Sequence, residues 1–213
     1  MTSNEAARPA RRTLSEEMRV RFKGVLDPLA RALLRLGLMP NTITLAGLVG
    51  NAIGALFLAR GDFLVGGLLV LFMGPIDALD GAMARLRGEA SDFGAFVDSV
   101  TDRYSELFIY GGLVVTFVAT QQMTLIVLTF VAAAGSVLVS YVKARAESLD
   151  FVAKGGLLTR FERYLILAPA LVLTGFGVTQ AALIGIALIA VLANVTALQR
   201  IRAVRQQARP RLG

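Results

Sequence analysis

The sequence predicts an all-α, polytopic membrane protein with six transmembrane helices and an N-terminal amphipathic interfacial helix. The chain of 213 residues is 55% hydrophobic with a mean hydropathy of +0.66, which is too apolar for a soluble domain. Six apolar segments of about 20 residues, the length of a membrane-crossing helix, follow one another after residue 40. We therefore expect an arm and interfacial helix at 1–38 and one six-helix transmembrane domain at 39–213.

The first 38 residues show two different patterns. Residues 1–12 are polar, small and basic, which is typical of a disordered arm. From Thr13 to Leu38, apolar residues recur at steps of three and four, and basic residues occupy the other faces. This pattern predicts a helix in the membrane interface with its basic side toward the headgroups, although an ordinary surface helix has the same pattern. The apolar positions are Met18, Phe22, Val25, Leu26, Leu29, Leu33 and Leu36.

The six predicted spans are separated by polar and turn-forming residues. Pro40 and Asn41 open the first span, and Pro75 lies inside the second, where a proline removes a helix hydrogen bond and favours a kink. The third span carries charged residues in its first half. The predicted spans are 41–58, 63–85, 93–120, 123–146, 161–176 and 179–201.

The basic residues predict the orientation. They crowd the N-terminal arm, the connections after the second and fourth spans, and the C-terminus, whereas the opposite connections hold only Arg60. By the positive-inside rule, both termini face the cytoplasm. A net charge of +7 distributed in this way favours anionic lipid headgroups as partners and not nucleic acid. We expect a multi-pass protein of the cell membrane.

Four aspartates stand out in this apolar chain. Asp77 and Asp80 are three residues apart, and Asp98 and Asp102 are four apart, so each pair shares one face of a helix. Carboxylates in a membrane span are costly and indicate a function. A divalent cation is the simplest group that would neutralise four of them. Because the chain has no His and no Cys, oxygen ligands favour Mg²⁺, Mn²⁺ or Ca²⁺. The alternative for one isolated pair is a solvated helix end.

The acidic residues could also line the path of a transporter or cation channel. Such a path predicts carboxylates spread through the membrane depth and, often, internal repeats. Here all four aspartates fall at the cytoplasmic ends of spans two and three, and the sequence has no clear repeat. The pattern therefore favours a site that opens to the cytoplasm.

The aspartates belong to a longer motif, Asp77-x2-Asp80-Gly81-x2-Ala84-Arg85-x8-Gly94-x3-Asp98-x3-Asp102. In this motif the chain resembles the CDP-alcohol phosphatidyltransferase family at every fixed position. The resemblance implies that an alcohol attacks the β-phosphorus of a CDP-linked lipid and that CMP leaves. It implies Mg²⁺, with Mn²⁺ as a substitute, bound by Asp77, Asp80 and Asp98. Asp102 is implied as the general base and as a further metal ligand, and the family implies a homodimer.

The same resemblance assigns contacts to the CDP-lipid. Gly81, Arg85 and Ser91 match family positions beside the CDP portion, and a planar guanidinium at Arg85 suits a phosphate. Asn41 and Thr44 match a nucleotide-side contact at the start of the first span. For Asn41 the alternative is a helix N-cap.

A second polar region suggests the acceptor. Its side chains lie at the cytoplasmic ends of spans four, five and six and could form a cationic pocket for a phosphorylated alcohol, although topology alone also predicts cytoplasmic Lys and Arg. The region, Ser140-Tyr-Val-Lys143-Ala-Arg145-Ala-Glu147 with the later glycines and arginines, looks like that of phosphatidylinositol phosphate synthases, which join CDP-diacylglycerol to inositol 1-phosphate. By that resemblance the acceptor-phosphate ligands are Ser140, Lys143, Arg160, Arg163 and Arg200.

Glycerol 3-phosphate is the alternative acceptor, as used by phosphatidylglycerophosphate synthases, because it also requires a basic pocket. A non-phosphorylated acceptor such as serine or free inositol would not require these cations. The sequence leaves open whether the donor lipid is a diacyl ester or an ether, and whether one or two metals bind.

Overall fold

The computed structural model describes residues 14–88, 91–153 and 155–209, with side chains from residue 21 onward. The predicted arm at 1–12 lies outside the described residues. In the part that is described, the chain forms seven α-helices and no strand, which confirms the all-α prediction. The helices are α1 Leu14–Arg35, α2 Pro40–Ala59, α3 Phe63–Arg87, α4 Asp92–Ala119, α5 Met123–Glu147, α6 Arg160–Gly175 and α7 Gln180–Ala208.

The helices α2 to α7 correspond in order to the six predicted spans. The largest difference is at the end of α7, which continues to Ala208 instead of ending near residue 201. The extra turns hold Arg202, Arg205 and Gln207. These residues are good helix formers but are polar, so the end of the apolar segment did not mark the end of the helix.

Six helices close into a ring. Each packs on two neighbours, in the order α2, α4, α5, α7, α6, α3 and back to α2. The main core, which includes Leu58, Leu113, Leu171 and Ile186, lies inside the ring. Because consecutive helices are joined by short connections, the carboxyl end of α3 and the amino ends of α2, α4 and α6 lie at the same end of the ring.

Helix α1 packs on the outside of α3. Ala30 of α1 is fully buried in a small cluster with Leu79, Ala82 and Met83 of α3. Leu26 and Leu33 of α1 pack against this cluster, as expected for residues on one apolar stripe. The predicted helix in this region is therefore present, and its apolar stripe covers the end of α3 that carries Asp77 and Asp80.

Small residues allow the close approach of α2 to its two neighbours. A side chain at Gly66 of α3 would lie 2.9 Å from the carbonyl oxygen of Gly54 in α2. A side chain at Gly112 of α4 would collide with the carbonyl of Ala55. Small residues at such crossings let helix backbones pack closely in membrane proteins. Both α3 and α4 can therefore pack closely on α2.

Pro75 interrupts the hydrogen bonding of α3. Since proline has no N–H, the carbonyl of Leu71, four residues earlier, loses its helical donor. The hydroxyl of Tyr164 in α6 donates to this carbonyl. Gly74 makes room for the tyrosine ring, because a side chain there would collide with it. The proline thus creates a specific contact between α3 and α6.

The connection between α5 and α6 is tied to α7. The amide of Leu158 donates to Thr196 Oγ1 at 3.0 Å. The side-chain amide of Gln207 bonds both backbone groups of Val152, accepting at 2.9 Å and donating at 2.7 Å. At the end of this connection, Thr159 and Glu162 form a capping box at the start of α6. These contacts fix the position of Arg160, the first residue of α6.

Four of the helices, α2, α3, α5 and α7, are long and apolar enough to cross a membrane. Helix α6 has only 16 residues. Every stretch of 18 residues in α4 contains Asp102, Arg103 and Glu106. The chain is therefore that of a membrane protein, and among the helices α2 to α7 it is α4 and α6 that length and composition alone do not identify as spans.

Candidate functional site

The two aspartate pairs meet at one end of the ring. Asp77 and Asp80 lie in the last turns of α3, and Asp98 and Asp102 lie in the first half of α4. Asp77, Asp98 and Asp102 each place one carboxylate oxygen within 4.8 Å of the others. Helix-end geometry supports this meeting: Gly88 ends α3 with φ of +67°, and the Ser91 hydroxyl caps α4 by accepting from Gly94 N at 3.0 Å.

The three carboxylates fit a hard divalent cation. Ligand oxygens on opposite sides of Mg²⁺ lie about 4 Å apart, so small side-chain movements bring the oxygens of Asp77, Asp98 and Asp102 to one ion. The donor set contains oxygen only, because the chain has no His and no Cys. This combination suits Mg²⁺ or Mn²⁺ rather than Zn²⁺.

Asp80 has different neighbours. It is 6% exposed, and Thr44 of α2 donates its hydroxyl to Asp80 Oδ2 at 2.6 Å. The backbone N–H of Gly81 donates to the other oxygen. The structure therefore brings Thr44 into the aspartate site through Asp80.

Arg160 lies directly among the aspartates. Its Nη1 is 2.6 Å from Asp77 Oδ2 and 2.7 Å from Asp102 Oδ1. Arg103 lies 3.3 Å from the other oxygen of Asp102. The arginine expected among the acceptor ligands is thus the cation that joins α6 to α3 and α4.

One turn deeper, Arg163 forms a second ion pair between α6 and α4. Its Nε and Nη2 donate to Glu106 Oε1 at 2.9 and 2.7 Å, and Nη2 also lies 3.0 Å from Oε2. Glu106 received no role from the sequence. The available signal was its position four residues after Asp102, on the same face of an apolar span.

The other expected acceptor ligands belong to α5 and α7. Arg200 donates from Nη1 to the carbonyl of Val139 at 2.6 Å and from Nε to that of Gly155 at 2.9 Å. Ser140 follows Val139 in α5 and donates to Ser136 O at 3.4 Å. Lys143 is exposed, 3.8 Å from Glu147. The five expected ligands thus fall into two groups, one on α6 and one on α5 and α7.

The expected CDP-lipid contacts surround the carboxyl end of α3. Arg85 is exposed, and its guanidinium lies over Gly81, where a side chain would approach Arg85 Nη1 to 3.4 Å. Asn41 is exposed inside the first turn of α2. The N-cap of that helix is Met39, so the alternative interpretation of Asn41 as an N-cap is wrong.

A cavity of about 50 Å³ lies in the ring below the aspartates. Residues of α2, α3, α4 and α6 line it, and its polar lining includes Asn51, Ser105, Glu106, Arg160, Arg163, Tyr110 and Tyr164. The Tyr110 hydroxyl also lies 3.2 Å from Ser136 Oγ. The polar interior therefore extends from the aspartates to the Glu106–Arg163 pair.

Comparison with known proteins identifies the family. Residues 37–193 match the CDP-alcohol phosphatidyltransferase family model. A phosphatidylinositol phosphate synthase of Mycobacteroides abscessus is 40% identical over 188 residues, which is 86% of this chain and 85% of that protein. One from Streptomyces avermitilis is 37% identical over 208 residues, covering 92% of this chain and 84% of its own.

Solved structures agree with these sequence matches. The crystal structure of Mycobacterium tuberculosis phosphatidylinositol phosphate synthase with CDP-DAG bound superposes with a TM-score of 0.79 at 34% identity, covering 84% of this chain and 93% of that chain. The same enzyme in complex with manganese and citrate also gives 0.79 at 34% identity, covering 85% and 89%. The chain belongs to the CDP-alcohol phosphatidyltransferase family.

Proposed function

We propose that this protein transfers the phosphatidyl group of CDP-diacylglycerol to inositol 1-phosphate, giving phosphatidylinositol phosphate and CMP. The observation that carries the proposal is the meeting of Asp77, Asp98 and Asp102 within 4.8 Å. These residues are motif positions of a family member that is 36–40% identical to several phosphatidylinositol phosphate synthases. A carboxylate cluster at one end of the ring suits a pyrophosphate-bearing donor, because a divalent cation held there offsets the phosphate charge.

In this proposal the aspartates have two roles, metal binding and proton transfer. Asp77, Asp80, Asp98 and Asp102 hold Mg²⁺, with Mn²⁺ as a substitute. The bound cation neutralises charge on the pyrophosphate and on the leaving phosphate oxygen. Asp102 accepts the proton of the acceptor hydroxyl, whose oxygen then bonds to the β-phosphorus. The bond from that phosphorus to the bridging oxygen breaks, and CMP leaves with this oxygen. A carboxylate is the available general base in a chain without histidine.

The CDP-lipid binds beside the carboxyl end of α3. We assign its contacts to Asn41, Thr44, Gly81, Arg85 and Ser91. Support comes from the exposed Arg85 guanidinium over Gly81 and from the hydrogen bond of Thr44 to Asp80. The bare backbone at Gly81 lets a phosphate approach closely, and the arginine fork can bind it through two N–H groups.

The acceptor phosphate binds on the other side of the aspartates. Its proposed ligands are Ser140, Lys143, Arg160, Arg163 and Arg200. Support comes from the position of Arg160, which contacts both Asp77 and Asp102. A phosphate held there would place a neighbouring hydroxyl close to Asp102.

We further propose six spans in the cell membrane, with both termini and the site on the cytoplasmic side. The arm and interfacial helix comprise 1–38, the catalytic domain comprises 39–213, and two copies form a homodimer. Support for the orientation is the basic residues at the aspartate end of the ring. Support for the interfacial helix is that α1 buries only one stripe, on α3, and exposes Phe22, Val25 and Leu29.

The decisive experiment measures CMP release by purified protein in lipid-containing detergent micelles. With Mg²⁺ and CDP-diacylglycerol, we expect CMP only when inositol 1-phosphate is added. EDTA should abolish release, and added Mg²⁺ or Mn²⁺ should restore it. A parallel reaction with glycerol 3-phosphate tests the alternative acceptor. If CMP is released with glycerol 3-phosphate but not with inositol 1-phosphate, glycerol 3-phosphate is the acceptor. If no phosphorylated alcohol causes release, the proposal is refuted.

A further inference from the structure

Arg163, which forms an ion pair with Glu106, is the most deeply buried charged residue described in the site. Arg163 is 1% exposed, and the Glu106 side chain is 14% exposed. The pair joins α4 to α6 one turn below the ion pair between Asp102 and Arg160. Taking two charges out of water is unfavourable, and a hydrophobic pair of similar volume is often as stable. Stability of the helix contact is therefore a weak explanation for the pair.

The bonding of Arg163 is one-sided. A guanidinium has five N–H donors, and Glu106 takes those on Nε and Nη2. Nη1 is buried and has no hydrogen-bond partner among the described residues. A buried donor without a partner is unfavourable, so a ligand that accepts a hydrogen bond from Nη1 gains free energy by doing so.

Arg163 also borders open space. It lines the cavity of about 50 Å³ below the aspartates together with Arg160 and Glu106. The side-on contact with Glu106 fixes the plane of the guanidinium, because two nitrogens on one edge bind one carboxylate. A lysine could not be fixed in this way, since its ammonium is a point charge on a flexible stem.

We propose that Glu106 is a positioning residue for the acceptor. It holds the Nε and Nη2 edge of Arg163, so that the N–H groups of Nη1 remain for the acceptor phosphate. The inference rests on the proposed function, because it assigns Arg163 to that phosphate. It adds a residue that never touches the acceptor and yet determines how well the acceptor binds.

Glu106→Gln tests the inference in the full-length protein. The oxygen of the neutral amide still accepts a hydrogen bond from Arg163. Its NH₂ group is a donor and cannot accept the second one. We expect the KM for inositol 1-phosphate to rise about tenfold, the size expected for a lost charge-assisted hydrogen bond, with the KM for CDP-diacylglycerol unchanged. The matched control is Thr116→Val, which removes a buried 2.7 Å hydrogen bond from α4 to Leu58 of α2. Both KM values of this control should stay at the wild-type level.

A double variant tests whether the pair acts only through packing. Glu106→Leu with Arg163→Met replaces the pair by apolar side chains of similar length. If the pair only stabilises the helix contact, the melting temperature and the acceptor KM should both return to wild-type values. We expect the melting temperature to return and the acceptor KM to stay high. Recovery of both would overturn the inference.

The inference and the proposed function fail in different ways. If the wild-type protein releases no CMP with inositol 1-phosphate or glycerol 3-phosphate, the proposed function fails, and the inference fails with it. If the wild-type protein is active and Glu106→Gln leaves the acceptor KM unchanged, or raises both KM values equally, only the positioning role is refuted. The same comparison applies with glycerol 3-phosphate if that is the acceptor used.

Discussion

The four aspartates have unequal surroundings, and this inequality separates their roles. Asp80 is tied to Thr44 of α2, whereas Asp77 and Asp102 share Arg160 of α6. Asp102 also has Arg103 at 3.3 Å. Asp80 therefore contacts α2, whereas Asp77 and Asp102 both contact α6. Asp102 contacts Arg160, one of the proposed acceptor ligands, which suits a residue that receives a proton from the acceptor.

Asp102→Asn tests this assignment at the residue scale. The amide has the same shape and can still accept from Arg160, but it cannot take the hydroxyl proton. We expect CMP release to fall at least about 100-fold, the lower range for loss of a general base, while binding of CDP is largely kept. Asp92→Asn is the control, because Asp92 is an exposed residue in the first turn of the same helix.

Binding of CDP to the Asp102→Asn protein, measured by titration calorimetry with Mg²⁺ present, decides between two roles. Retained binding together with lost turnover supports the general base. If CDP binding is lost as well, Asp102 is mainly a metal ligand, and the base must be assigned elsewhere.

At the scale of elements, α3 and α6 are joined by a contact that a proline makes necessary. Pro75 deprives the Leu71 carbonyl of its donor, and Tyr164 supplies one. Tyr164 follows Arg163 directly and lies one turn after Arg160. The same contact therefore fixes the position of α6 along α3, and with it the positions of Arg160 and Arg163.

Tyr164→Phe should destabilise the helix bundle. It leaves the Leu71 carbonyl without a partner, which costs about 1–3 kcal/mol. We expect a melting temperature in detergent that is lower by several degrees, measured by thermal unfolding. Tyr141→Phe is the matched control, because Tyr141 is 61% exposed on α5. Equal melting temperatures for the two variants would show that the contact contributes nothing.

The helices themselves were predictable, and their arrangement was not. Apolar runs separated by polar and turn-forming residues predicted the helices α2 to α7 in order, because each helix is encoded locally. The meeting of the aspartates could be expected from the motif spacing. The place of Arg160 among them could not, since it depends on the packing of α3, α4 and α6. Glu106 was missed for the same reason: its partner lies 57 residues away.

At the scale of the whole molecule, the packing of the ring bears on which helices cross the membrane. Helix α4 lies between α2 and α5, and α6 lies between α3 and α7. All four of these neighbours are apolar enough to span. At 1.5 Å per residue α4 is about 42 Å long and α6 about 24 Å, so α4 exceeds the hydrocarbon core of about 30 Å and α6 falls slightly short of it. Because α4 and α6 each pack between two helices that can span the membrane, the ring favours six spans over four.

The two arrangements place the same loops on opposite sides of the membrane. With six spans and a cytoplasmic N-terminus, the α4–α5 connection at Gln122 is external, and the α5–α6 connection at Ser148 is cytoplasmic. If α4 and α6 do not cross, these two positions exchange sides. Both residues are exposed, and the native chain has no cysteine, so single Gln122→Cys and Ser148→Cys variants carry one label site each.

A membrane-impermeant maleimide applied to intact cells should label Gln122→Cys but not Ser148→Cys. In inverted vesicles the pattern should reverse, and permeabilised membranes, in which both must react, provide the control for reactivity. With a cytoplasmic N-terminus, the opposite pattern in intact cells would show that α4 and α6 do not cross. The carboxylates would still lie at the cytoplasmic end of α3, but the acceptor region at Ser140 and Lys143 would then be on the other side. The labelling experiment therefore tests whether one site can hold both substrates.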